Sequence, residues 1–312
     1  VRSGRHRVLW LAAVFLALAA GVMLGSFALS GPLVSGLRGD KGSLQQQITA
    51  LGEENHVLDQ KLSAADAFDA QMSGRMVRDA LVGKSVIVFR APDAEDSDVD
   101  AVHRLVGQAG GAITATIGLT DEFVQGNAAE KLQSVVNSPI VPAGAKLNTA
   151  LVDPSAQAGD LVGVALLINR DPKTAPVEDP ARDAVLAALR DTGFLAYSDR
   201  PGSANTAVVV TGGALPPDAG NQGLTVARFA AALAPHGSGV VLAGRDGSAT
   251  GVSAVAVARG DAGLSSAMTT VDDVGLSSGR ITAVLALQSL IAGGPPGKYG
   301  SGDGAAAVTI PQ

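Results

Sequence analysis

Polarity along the chain falls into three regimes. Val8 to Leu29 are 22 consecutive positions without a charge, and Arg2, Arg5 and Arg7 precede them. A helix rising 1.5 Å per residue covers about 33 Å over that length, against roughly 30 Å of bilayer hydrocarbon. The run therefore predicts a transmembrane helix or signal-anchor at 8–29. The basic residues ahead of it assign 1–7 to the cytoplasm and everything after Ser30 to the outside. A cleaved secretory signal is the alternative, because Ala28-Leu29-Ser30 offers small residues at −3 and −1. Signal h-regions usually run about 7–15 residues, which favours retention, and both readings export the body of the protein. Ala13, Ala17, Gly21 and Gly25 recur on one helix face. Such a stripe lets two spans approach closely, although Ala and Gly are abundant throughout this chain.

A heptad regime follows the expected break at Ser30-Gly31-Pro32 and predicts a helical coiled-coil stalk within 30–82. Leu44, Ile48, Leu51, Asn55, Leu58, Leu62 and Ala65 alternate spacings of four and three, which is an a/d seam. Asn55 falls at an a position, where one polar residue favours parallel two-stranded pairing. Gln45, Gln46, Glu53, Glu54, Asp59, Gln60 and Lys61 form the solvent face. The seam is about three heptads long. Gly39 and Gly42 weaken its start and Gly52 interrupts it, each at about 1 kcal/mol relative to Ala. A helix laying the same stripe on its own domain is the competing arrangement.

From Lys84 onward, short apolar runs alternate with amphipathic stretches. Ser85–Phe89 reads as a buried strand, Ser97–Gln108 as a helix and Ala112–Ile117 as the next strand, together a βαβ unit. Helices are expected over Asp179–Asp191, Leu224–Leu233 and Arg280–Ile291. Strands are expected over Phe194–Tyr197, Thr206–Thr211, Gly239–Ala243 and Val252–Val257. Leu161–Ile168 fits either a strand or a buried helix. The alternation predicts an exported α/β domain over 83–292, built on an open, mostly parallel, doubly wound sheet. Residues 293–312, rich in Gly, Pro and Ala, read as a flexible tail.

Composition removes several functions. A net charge of −6 leaves no basic field for nucleic acid. Cys is absent, which excludes disulfide staples, thiol catalysis and thiolate metal sites. Aromatic residues make up 3% of the chain, poor material for an aromatic recognition surface.

Candidate chemistry is sparse, and no catalytic residue or cofactor site is assigned. Gly275-Leu276-Ser277-Ser278-Gly279 matches the G-x-S-x-G elbow, but the hydrolase order needs a later histidine and the last one is His236. A Gly/Ser-rich turn opening a helix accounts for the motif, so the chain is read as no enzyme. Thr211-Gly212-Gly213 resembles a phosphate cradle without the P-loop Lys-Ser or Lys-Thr. Gly244-Arg245-Asp246-Gly247-Ser248 ends a strand, where Arg245 either holds an anion or belongs to a tight turn. Asp93, Glu95, Asp96, Asp98 and Asp100 could gather a hard cation, or could cap the following helix. For a soft metal, His6, His56, His103 and His236 are dispersed. Met72 and Met76 share a helix face that continues the heptad seam. The metal ligands are left unassigned.

Several phrases resemble the mycobacterial copper transport protein B (MctB) family. They include Leu11 to Ala19 with Gly25-Ser26, Leu33 to Asp40, Val185 to Gly193, Thr211 to Pro216 and Asp218 to Gly223. Ala231 to Gly239 and Leu242 to Gly251 carry the likeness most strongly, and Tyr299-Gly300 and Pro311-Gln312 end it. The resemblance implies a pore-forming outer-membrane protein that expels copper and keeps intracellular copper low. It supplies no ligand motif to carry over.

The expectation is therefore a copper transport component of the cell envelope, with copper ions as the transported species. The alternative is a bitopic envelope scaffold with a dimerising coiled coil and a partner-binding α/β domain. Homo-oligomerisation through the span and the coiled coil fits both. A membrane β-barrel would need many alternating strands and aromatic girdles, which this pattern lacks. One uncharged span cannot conduct ions alone.

Overall fold

Residues 3–310 are described by the computed structural model, with side chains described for 10–24 and 44–310. The chain divides into two compact units, one ending at Ala65 and one beginning at Asp66. Ser3–Met76 form helix α1. β1 (Ser85–Arg90), α2 (Asp96–Gln108), β2 (Ala112–Leu119), α3 (Asp121–Val124) and α4 (Ala129–Val136) follow. α5 (Pro154–Leu166) and α6 (Asp179–Asp191) lead into β3 (Leu195–Ala196) and β4 (Thr206–Val210). Next come α7 (Gln222–Leu233), β5 (Val240–Ala243), α8 (Ala254–Gly260) and α9 (Ala262–Ala267). β6 (Thr269–Val271), α10 (Ser277–Ile291) and β7 (Lys298–Tyr299) complete the described order.

Among the described residues, seven strands lie in the order β3-β2-β1-β4-β5-β6-β7. All neighbours are parallel except β3, which pairs antiparallel with β2. The expected mostly parallel α/β sheet is present. Side-chain alternation along β1 explains its two covered faces. Ile87 and Phe89 enter the core shared with α5, α6 and α7, whereas Val86 and Val88 enter the one shared with α2 and α10. Strands covered on both faces have no polar side, so β4 and β5 are buried at every position. The Thr206 hydroxyl in β4 is satisfied by donating to the Gly239 carbonyl at 2.7 Å.

Four phenylalanines meet in one core. Phe229 meets Phe89 and Phe123 edge-on at 5.2 and 5.3 Å, and Phe123 meets Phe194 at 6.4 Å. α5 and α7 approach closely here: a Cβ on Gly159 would stand 2.4 Å from the Phe229 carbonyl oxygen.

Several expectations need correction. Val252–Val257 is not a strand; Ser253 ends a turn and α8 begins at Ala254, burying Val255 and Ala258. Its valines mimic a strand, but the intervening alanines favour helix and the face that packs decides. Leu161–Ile168 resolves as helix through Leu166, started by Asp153, whose carboxylate accepts from the Ser155 and Ala156 N–H groups, and by Pro154. No break occurs at Ser30-Gly31-Pro32: α1 continues across it, since one proline can tilt a helix without ending it. Residues 293–312 contribute β7, with Lys298 and Tyr299 in register with Thr270 and Val271. Gly300 serves close packing there, because a Cβ on it would overlap the Asp272 carboxylate.

Among the described residues, no helix is long and apolar enough to cross a membrane. Within the 8–29 run the described side chains extend from Trp10 to Leu24, which at 1.5 Å per residue reaches only about 22 Å. Arg2, Arg5 and Arg7 of the basic segment and the closing Pro311-Gln312 lie outside the described residues or side chains.

Candidate functional site

Open α/β sheets bind ligands beyond the carboxyl ends of their strands, where the connections diverge. That point lies between β1 and β4, because α2 and α7 leave them on opposite faces. Here the crevice is filled from within. Thr211 Oγ1 lies 3.1 Å from both Asp93 carboxylate oxygens. A Cβ on Gly212 would come within 2.4 Å of the Asp93 main-chain oxygen. The remaining space is about 20 Å³, room for about one water. Thr211-Gly212-Gly213 therefore faces a carboxylate where a cradle would hold phosphate.

Beside it, Asp98 is fully buried and shared by two arginines. Arg280 Nη2 lies 3.0 Å from Asp98 Oδ1, and Arg245 Nε lies 2.9 Å from Oδ2 in an off-line ion pair. Arg280 also donates to the Val274 and Gly275 carbonyls. The Arg245 segment is a turn, closed by Ser248 N–H donating to the Arg245 carbonyl at 3.0 Å, with Gly247 at φ +85°. The acid-rich stretch disperses: Asp93 meets Thr211, Asp96 pairs with Arg90 at 3.0 Å, and Asp98 turns inward. Among the described residues, no group of three or more His, Cys, Asp or Glu side chains is placed to hold a metal ion.

The far side of the carboxyl edge is clamped as well. Arg259 and Asp272, with side chains 3% and 2% exposed, pair at 2.5 Å. Arg259 also donates to the Tyr299 and Asp303 carbonyls and to Thr270 Oγ1. Asp272 accepts from the Ser301 and Gly302 N–H groups. Neighbouring Asp273 accepts from the Ser301 N–H and hydroxyl. Burial, and then the adjacent Asp272 charge, raise the Asp273 pKa. A carboxyl raised on folding contributes stability below its unfolded pKa of about 3.8 and loses it as pH climbs through the raised folded value. Asp273→Asn should accordingly raise the thermal midpoint at pH 7 and leave it unchanged near pH 3. Melting curves at the two pH values check this.

Ser277 of the G-x-S-x-G sequence opens α10. It is 4% exposed, and its backbone N–H donates to Asp66 Oδ1 at 2.6 Å. The described histidines, His56, His103 and His236, stay apart. His56 contacts Gln60 and His103 contacts Thr116, each at 2.9 Å. Burial lowers the His103 pKa against the pull of Asp100. The His6 side chain lies outside the described set. Met72 is half-buried and Met76 exposed.

One pairing is not visible in the sequence. His236 Nε2 lies 2.6 Å from Asp160 Oδ1, and the Asn148 N–H donates to Asp160 Oδ2 at 2.6 Å. The two residues are 76 positions apart. Gly163 admits the ring, since a Cβ there would stand 2.6 Å from His236 Cδ2. Glycines at 159 and 163 flanking Asp160 on one helix are the only sequence sign of this close approach. His236 lines a cavity of about 790 Å³ with Lys146, Asn169 and Glu178. Asp160 borders a more apolar one of about 400 Å³ with Leu151, Val152 and Leu264. The carboxylate fixes the ring, and the second ring nitrogen is the atom suited to touch a soft cation. A single nitrogen is a contact point and falls short of a metal centre.

Residues 3–310 match the family model described as copper transport outer membrane protein, MctB. The chain is 60% identical over 312 residues to proteins named copper transporter MctB from Mycobacterium bovis and Mycobacterium tuberculosis, covering 99% of each chain. It is 58% identical over 315 residues to the protein of that name from Mycobacterium leprae, again over 99% of each. Agreement of this length and identity, over the sheet and the helix before it alike, shows that the chain belongs to the MctB family.

Proposed function

We propose that this protein is a copper transport component of the cell envelope that contributes to copper homeostasis and resistance. The supporting observation is the 60% identity, across 99% of each chain, to relatives named copper transporters. Copper is cargo in this reading, and the role is not enzymatic. Ser277 at a buried helix start and the filled switch-point crevice support that view. Val8–Leu29 anchors the chain in a membrane, with the sheet domain exported. The outer-membrane position comes from the family description. Any pore belongs to an assembly of copies or partners, because the described strands, two to eight residues long, build a helix-covered sheet, whereas membrane strands need about 9–11 residues.

Deleting the gene should raise cell-associated copper and sensitise growth to copper, with both restored by the full-length chain. Normal values for both measurements in the deletion strain would remove this reading. Fractionation with intact-mass measurement of the purified chain tests retention of the anchor.

A second reading, an envelope scaffold that dimerises through the helix after the anchor, is favoured by the exposure of the heptad seam. Leu44, Ile48, Leu51, Leu58 and Leu62 are each more than half exposed.

A further inference from the structure

We propose that Leu44–Ala65 of α1 pairs with the same segment of a second copy as a parallel, in-register, two-stranded coiled coil, Asn55 facing Asn55. This deepens the scaffold reading by naming the partner and its register. Five large apolar residues of the seam are 52–61% exposed in the single chain. Scattered exposed leucines need no explanation, but a row at a/d spacing over 22 residues does. A 3.5-residue repeat drifts around a straight helix, so it stays covered only by a helix that supercoils with it. The occupant must therefore carry the same repeat, and this chain supplies it.

Asn55 selects the orientation. Against a foreign apolar groove its amide would be buried without a partner. In a parallel pair in register, the two amides meet and bond each other. The seam also has a defined end. Asp66, the next residue, accepts the Ser277 N–H at 2.6 Å, and the following a position is Asp69.

Pairing is weak by construction. The seam is about three heptads long, Gly52 interrupts it, and in register Glu54 at g faces the like-charged Asp59 at e. Two copies anchored in one membrane offset this, since tethering raises the effective concentration of the segments. The proposal therefore concerns the full chain in its membrane.

The chain has no native cysteine, so each introduced one reports alone. Full-length Ile48→Cys, Asn55→Cys and Leu62→Cys, treated in membranes with a short bismaleimide, should each give a covalent dimer. Glu53→Cys, on the outer face, should not. An antiparallel pair brings at most one of the three positions onto itself, and a partner of another kind brings none. Either pattern overturns the proposal. Adding Leu51→Asp and Leu58→Asp to Asn55→Cys should cut the dimer at least tenfold; persistence of the dimer would also overturn it. Circular dichroism of these variants confirms that the sheet domain remains folded. Copper tolerance, measured in the same strains, scores the transport reading separately, because tolerance can persist without the dimer and the dimer without tolerance.

Discussion

Arg259→Ala should lower the stability of the sheet domain by about 3–5 kcal/mol, the range for breaking one side of a buried ion pair. Truncation leaves the Asp272 carboxylate, 2% exposed, without its cation. It also deprives the Tyr299 and Asp303 carbonyls of a donor. At roughly 2–4 °C per kcal/mol for a domain of this size, the thermal midpoint should fall on the order of 10 °C. The loss should be local as well as global, since Arg259 ties β7 and the following loop to β6. Limited proteolysis should cut near Ser301 faster in the variant than in the parent. The double variant Arg259→Met with Asp272→Leu should recover part of the stability, because it leaves no buried charge unpaired. A thermal midpoint unchanged in Arg259→Ala would show that the clamp contributes nothing.

Phe229→Ala should cost a similar amount, about 3–5 kcal/mol, through a different mechanism. Phe229 is fully buried and holds Phe89 and Phe123 edge-on. Its removal forfeits both contacts and opens a cavity beneath α7. Gly159 already brings α5 against the Phe229 backbone, so the two helices have little room to close it by moving together. Phe229→Leu, nearer in volume, should cost less than half as much. Denaturant midpoints of the two variants make the comparison. α5 carries Asp160, and His236 lies in the 3₁₀ turn directly after α7. Phe229→Ala should therefore also shift the His236 ring resonances in NMR.

Much of the fold was legible because local and tertiary requirements agree. Val- and Ile-rich runs bounded by turns became β1, β4 and β5, and the helix expected over Asp179–Asp191 has those bounds. Disagreement occurred where one local pattern serves two environments. Val252–Val257 is valine-rich like a strand, yet a turn delivers it to a helical layer. The stretch after Gly293 has the composition of a linker, but a buried arginine from α8 captures its backbone.

The carboxyl edge shows the same division. A sequence reading finds Arg245, Asp98 and Thr211-Gly212-Gly213 as separate possibilities for anion, cation and phosphate binding. Folding places carboxylates on the arginine and the glycine turn, so these groups satisfy one another. Distances between residues far apart in the chain decide that outcome, and periodicity carries no information about them.

By itself, the sequence determined the uncharged run, the heptad seam with its single asparagine, the strand and helix alternation, and the family. All are properties of residue type and short-range spacing, which hydrophobic burial and backbone geometry translate directly into local structure. Only the tertiary structure decided the strand order, the filled switch point, the Arg259–Asp272 clamp and the His236–Asp160 pair. Each depends on side chains brought together by the crossing of elements, where a buried charge or polar group persists only beside a partner that the fold supplies.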